Sequence, residues 1–185
     1  MILHSIVRPS LIGYSLLLLV SMGFAYGQGR LGEMFLFPGW LQTVINTVIG
    51  VLLAVSVSLV SSAMYGAFRW AKELEEEFRL LLYPLESREV VLLAVTSGIA
   101  EELFFRGIMQ PVFGLYVTSL AFGLLHYPMN RRMVPWTVIA IILGFLLGVV
   151  YQATESLLVV ILAHGLINYF ELRKIAKGVA LNAEL

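Results

Sequence analysis

Glu101, Glu102 and Arg106 stand inside an otherwise apolar run from Val90 to Met109, and His126, His164 and Asn168 are isolated polar residues in later apolar runs. On insertion scales each charge near a bilayer centre costs roughly 2.5–3.5 kcal/mol, while each Leu, Ile, Val or Phe returns about 0.3–0.6. The ten Val, Leu, Ile and Phe residues of the run therefore contribute only ~3–6 kcal/mol, less than three lipid-exposed charges would cost. These charges must pair or face a polar cavity. Ionisable groups held at that depth are the material of acid–base or charge-relay chemistry. The plainer reading of a single membrane histidine is an interhelical hydrogen bond.

Spacing sorts the groups. Glu102 and Arg106 are i,i+4 with the acid on the N-terminal side, the favourable order for a pair. Glu101 is rotated about 100° around the same helix, so one carboxylate can pair with Arg106 while the other faces a cavity. Phe122 with His126, and His164 with Asn168, are also i,i+4.

Composition removes several chemistries. There is no cysteine, and all twelve acidic residues are Glu, so a thiol nucleophile, thiolate metal ligands and an aspartyl dyad are excluded. Ser97-Gly98 has no Gly-x-Ser-x-Gly surroundings and reads as a small-residue packing position. An HExxH zinc helix is absent, although Glu101, His126 and His164 form a conceivable zinc donor set with an open fourth position. Zero net charge argues against a nucleic-acid partner.

The elements that must position these residues are membrane helices. With 59% hydrophobic residues, 13% charged residues and mean hydropathy +0.90, the 185-residue chain reads as all-α, a polytopic transmembrane bundle of about six spans plus one interfacial amphipathic helix. The spans fall near 9–26, 41–67, 89–110, 112–127, 133–151 and 157–170. Pro111 closes the third, Pro128 follows the fourth, and Thr154-Glu155-Ser156 turns the chain into the sixth. The first span reads as an uncleaved helix rather than a removable leader. Serines at 56, 58, 61 and 62, and Gly144-Phe145-Leu146-Leu147-Gly148, read as helix-packing positions.

Between the second and third spans, residues 69–83 carry Trp70, Leu74, Phe78 and Leu81 at helical spacing, with charges elsewhere on the wheel. They read as a helix on the membrane surface with Lys72–Glu76 and Glu75–Arg79 pairs, and Ser87 as the N-cap of the next span. With the N-terminus inside, cytoplasmic segments carry ten Lys or Arg and outer loops only Arg30, which places both termini in the cytoplasm. Counted from the expected turns at 1.5 Å per residue, Glu101, His126 and His164 lie about 15, 22 and 16 Å deep, one layer of a ~30 Å core.

Glu101-Glu102-x-x-x-Arg106, Phe122-x-x-x-His126 and His164-x-x-x-Asn168, in that order on successive apolar helices, resemble the three motifs of the CAAX-protease and bacteriocin-processing (CPBP, or Abi) family of intramembrane proteases. The resemblance covers about residues 90–169. It divides the chain into N-terminal spans and interfacial helix (1–85), catalytic core (86–173) and cytoplasmic tail (174–185). Glu155 departs from a Gly common in that turn.

The resemblance implies a type II CAAX-prenyl-protease-like intramembrane glutamic endopeptidase in a prokaryotic plasma membrane. Glu101 and His126 would activate water, His164 and Asn168 would stabilise the oxyanion, and Glu102 with Arg106 would hold the arrangement. It implies no cofactor, with the zinc alternative resting on Glu101, His126 and His164. Its partners are the lipid bilayer and a protein or peptide substrate that is prenylated or carries a leader or sorting signal. Two other readings use the same polar cluster: a non-proteolytic immunity or scaffold protein, and a small transporter.

Overall fold

The computed structural model describes residues 6–34, 39–127 and 130–182. Among them every regular element is helical: α1 (Val7–Gly27), α2 (Leu31–Met34), α3 (Trp40–Ala67), α4 (Arg69–Leu82), α5 (Ser87–Phe104), α6 (Gln110–Leu125), α7 (Val134–Thr154) and α8 (Leu157–Asn182). A π-helical turn, Phe105–Met109, joins α5 to α6, and a 3-10 turn, Arg131–Met133, precedes α7. Apolar side chains cover the outside; Leu19, Leu59 and Leu125 are among the large hydrophobics that face outward. Such a surface is soluble only in lipid, and the protein is an integral membrane helical bundle.

Helix α8 packs against both α3 and α5, α5 packs against α1, and α6 packs against α7. Among the described residues three apolar cores result, one of them Phe105, Phe122 and Ala140 where the π turn, α6 and α7 meet. Ala54, Leu143, Leu147, Val160, Ala163 and Ile167 join α3, α7 and α8; Val7, Leu85, Val90 and Leu93 join α1 to α5. The α5–α8 crossing is tight at Gly98, where a Cβ would stand 2.8 Å from Gly165 N and 2.9 Å from its Cα. Backbone meets backbone there, so the packing reading of Gly98 holds.

Among the described residues four stretches are long and apolar enough to cross a membrane by length and composition: Val7–Gly27, Trp40–Ala67, Ser87–Leu125 and Arg131–Thr154. Two of the boundaries expected from the sequence differ. Pro111 does not close a helix but lies at the start of α6, directly after the π turn. The chain reverses instead at Gly114, whose φ of 75° and ψ of 173° interrupt the helix and suit a residue without Cβ. Helix α8 is apolar up to Phe170 and then continues through Glu171, Arg173 and Lys174 to Asn182, so the segment read as a tail is largely helical. The break expected at Pro128 lies outside the described residues.

Moving the reversal to Gly114 puts Glu101 thirteen and His126 twelve residues from it, about 20 and 18 Å along their helices. The two groups match in depth better than a turn at Pro111 allowed.

Helix α4 is amphipathic as expected, with Leu74 and Leu82 buried. Its ion pairs differ in part. Arg79 binds Glu75 at 2.9 Å and also Glu76 at 3.2 Å, while Lys72 lies over the Tyr65 ring at 5.9 Å instead of pairing with Glu76. The N-cap of α5 is Glu86, one residue before Ser87, in a capping box with Glu89. The α3 serines do more than pack. Ser61 donates to Glu171 at 2.8 Å, and Lys174 binds Ser62 Oγ at 2.9 Å and the Ser58 carbonyl at 3.1 Å.

Glu155, the C-cap of α7, adopts a left-handed conformation, φ 49° and ψ 26°. A Cβ makes that region cost roughly 1–2 kcal/mol, which explains why glycine suits this turn. Glu155→Gly should therefore stabilise the protein, offset in part by glycine's greater freedom when unfolded. Unfolding in mixed micelles should show a higher denaturant midpoint with an unchanged slope.

Candidate active site

The motif residues come from four elements. Helix α5 carries Glu101 and Glu102, the π turn carries Arg106, the end of α6 carries Phe122 and His126, and α8 carries His164 and Asn168. Glu102 and Arg106 are fully buried, and Glu101 and His164 nearly so.

Arg106 Nη1 donates to Glu102 Oε1 at 2.9 Å, and its Nη2 donates to the Gly144 carbonyl at 2.8 Å. One turn on, Gln110 Nε2 donates to the Gly148 carbonyl at 2.9 Å. The Gly-x-x-x-Gly stretch of α7 thus offers carbonyls as well as close packing. The guanidinium also lies over the Phe122 ring at 5.0 Å, a cation–π contact that a buried charge strengthens. Phe122 is the floor of the site: its centroid lies 4.5 Å from that of His126 and 5.8 Å from that of His164.

Both histidines are oriented through Nδ1. His164 Nδ1 meets Glu102 Oε1 at 2.6 Å, and His126 Nδ1 meets the Phe122 carbonyl at 2.6 Å. A carbonyl only accepts, so His126 Nδ1 carries a proton and its Nε2 is the free nitrogen. The two Nε2 atoms then converge on Glu101, standing 3.6 Å (His126) and 3.9 Å (His164) from Oε2. That oxygen is buried and accepts no hydrogen bond from the described residues. Glu102 holds the scaffold, and Glu101 faces the free nitrogens. The two carboxylates have separate surroundings, as their rotation around the helix predicts.

Asn168 is held differently. Its Nδ2 donates to Ser97 Oγ at 2.8 Å, so Ser97 has a polar partner in addition to its packing position. From α1, the Tyr14 hydroxyl faces both Ser97 and Glu101 within interacting range. Sequence reasoning passed over Tyr14 and Gln110. Gln110 had a signal, being polar, apolar-flanked and i,i+4 from Arg106. Tyr14 had none, because a tyrosine in a first span reads equally well as an anchor. Among the described residues no group of three or more His, Asp or Glu side chains is arranged to hold a metal ion.

Of the motif residues, His126 and Asn168 are half-buried and the others buried. The His126 side chain is 23% exposed, against 3% for His164 and 9% for Glu101. A buried acid lies beside two imidazoles in a bundle with an apolar outer surface, which defines the class: an integral membrane protein with a buried cluster of ionisable groups.

Comparison with known proteins specifies it further. Residues 83–170 match the family model described as type II CAAX prenyl endopeptidase Rce1-like, and that stretch contains the three motifs that carried the resemblance. The chain is 35% identical over 81 residues to the uncharacterized protein YpbD of Bacillus subtilis (strain 168). That alignment spans 43% of this chain and 41% of YpbD, less than half of either. No solved structure matches the chain.

Proposed function

We propose that this protein is an intramembrane glutamic endopeptidase that hydrolyses a peptide bond in membrane-associated proteins or peptides. The observation that carries the reading is the convergence of two free imidazole nitrogens on Glu101 Oε2 at 3.6 and 3.9 Å. Those separations are too long for direct hydrogen bonds and suit a water that donates one proton to Glu101 and one to His126 Nε2. Its oxygen lone pair is then directed outward as the nucleophile.

Attack forms the C–O bond and moves the carbonyl π electrons onto oxygen. Glu101 takes the water proton and passes it to the leaving nitrogen as the C–N bond breaks. His164 donates from Nε2 to the oxyanion. With that second proton on His164, the two carboxylates are balanced by Arg106 and the imidazolium, and the buried cluster is neutral. Asn168 adds its second amide N–H, the first being held by Ser97. No metal takes part on this reading.

The bilayer encloses the reaction, and the substrate reaches it from the His126 side. Lys and Arg distribution supports cytoplasmic termini in a prokaryotic plasma membrane. The substrate is a prenylated protein or a peptide carrying a leader or sorting signal.

The test uses the purified full chain in liposomes with a prenylated fluorogenic peptide and a leader-bearing peptide. His126→Ala should lower turnover by about 10²–10⁴-fold, and a strong chelator should leave the wild-type rate unchanged. Undiminished cleavage by His126→Ala, or chelator inhibition reversed by zinc, would contradict the proposal. Comparing membrane-protein termini in cells with and without the protein identifies the natural substrate.

A further inference from the structure

His126 is more open than Glu101 or His164, and it is not inside a helix. It follows Leu125 as the C-cap of α6, with φ −91° and ψ 12°; from α6 the Phe122 carbonyl holds its Nδ1 at 2.6 Å, and the ring is further supported on its two sides. Phe122 supports one side. On the other, the Trp136 ring meets the imidazole edge to face, with centroids 5.9 Å apart and planes at 73°. The neighbouring Thr137 hydroxyl donates to the His126 carbonyl at 3.5 Å.

Trp136 is itself held from outside the matched motifs. Phe78 of α4 packs on it edge to face, at 5.2 Å and 86°. One residue earlier, Glu77 accepts from Arg132 Nη1 at 3.0 Å and from Asn130 Nδ2 at 3.3 Å. Adjacent residues of the surface helix thus hold residues 130–132 and the first turn of α7, the first by an ionic contact and the second by an aromatic one. Other polar contacts here are internal: Asn130 Oδ1 accepts from Arg132 N at 3.0 Å, and the Asn130 carbonyl accepts from Met133 N at 3.0 Å.

We infer that α4 is a positioning element for His126, acting through Glu77 on residues 130–132 and through Phe78 on Trp136. Glu77, Phe78 and Trp136 touch no reacting atom; they set the orientation of the ring that does. The kinetic part of the inference rests on the proposed hydrolysis, and the structural part does not.

The experiment compares Phe78→Leu, Glu77→Gln, their combination and Phe78→Tyr in the full chain, each checked for monodispersity and helical content in micelles. Two signals are read. The first is the imidazole resonance of His126 in histidine-labelled protein, assigned by its loss in His126→Gln. It lies in the ring currents of Phe122 and Trp136, so a change of orientation moves it.

The double variant should shift the His126 resonance and leave that of His164 in place. Phe78→Tyr, which keeps the ring, should restore the wild-type position, whereas a leucine of similar apolar bulk should not. The second signal is turnover: the double variant should lose about 10- to 100-fold in kcat with KM unchanged. A wild-type His126 resonance in the double variant overturns the inference whatever the activity. A shifted resonance with undiminished kcat overturns the positioning role in the reaction. A shifted resonance in a protein that cleaves nothing in its wild-type form supports the coupling and removes the proposed hydrolysis instead.

Discussion

Glu101→Gln should abolish hydrolysis while leaving the bundle as stable as before. Glutamine keeps the shape of the side chain and removes the base. The carboxylate oxygen that faces His126 and His164 accepts no hydrogen bond from the described residues, so the fold does not depend on its charge as it depends on that of Glu102. The loss of a positioned general base should lower turnover by about 10²–10⁴-fold, while the unfolding free energy should move by no more than about 1 kcal/mol. Glu102→Gln makes the contrast. That carboxylate accepts from Arg106 at 2.9 Å and meets His164 Nδ1 at 2.6 Å, so its loss should lower activity and stability together. Initial rates in liposomes, paired with unfolding in mixed micelles, separate the two patterns. A Glu101→Gln protein that retains activity within tenfold, or that unfolds, would remove Glu101 from the role of base.

The sequence disclosed what hydrophobicity and charge control. Helices α1, α3 and α4 begin and end within two residues of expectation, because apolar length and amphipathic spacing decide them. The pairing of Glu102 with Arg106 was legible from i,i+4 order, and the separate duties of the two carboxylates from their rotation. Geometry set by single residues was less legible. Proline in a first helical turn and proline after a last one look alike in a sequence, so Pro111 was taken for the reversal that Gly114 makes. The π-helical turn at Phe105–Met109 leaves no mark in composition, yet it lies between Glu102 and Gln110 and carries Arg106, whose partners include Gly144 on α7. The aromatic support of His126 was equally hidden, since Phe78, Trp136 and His126 are far apart in the chain and meet only after α4 folds back.

Arg106→Met should be the most destabilising single change in the site. Arg106 is 0% exposed and satisfies three partners at once: the Glu102 carboxylate, the Gly144 carbonyl and the Phe122 ring. Methionine fills much of the volume but leaves Glu102 as a buried charge without its cation and Gly144 without a donor. Removing one member of a buried pair typically costs about 3–5 kcal/mol. Arg106→Lys should recover little of this, because a point ammonium cannot span carboxylate and carbonyl as the planar guanidinium does. The paired change Glu102→Gln with Arg106→Met should regain part of the stability, since the uncompensated charge disappears along with its partner. It should not regain activity: His164 Nδ1 then faces a carboxamide, and the charge that balances an imidazolium at the oxyanion is gone. Equilibrium unfolding of the four proteins in mixed micelles gives the coupling directly. If Arg106→Met costs less than about 1 kcal/mol, the pair behaves as an exposed one, and the enclosed, low-dielectric centre that the proposed hydrolysis requires does not exist.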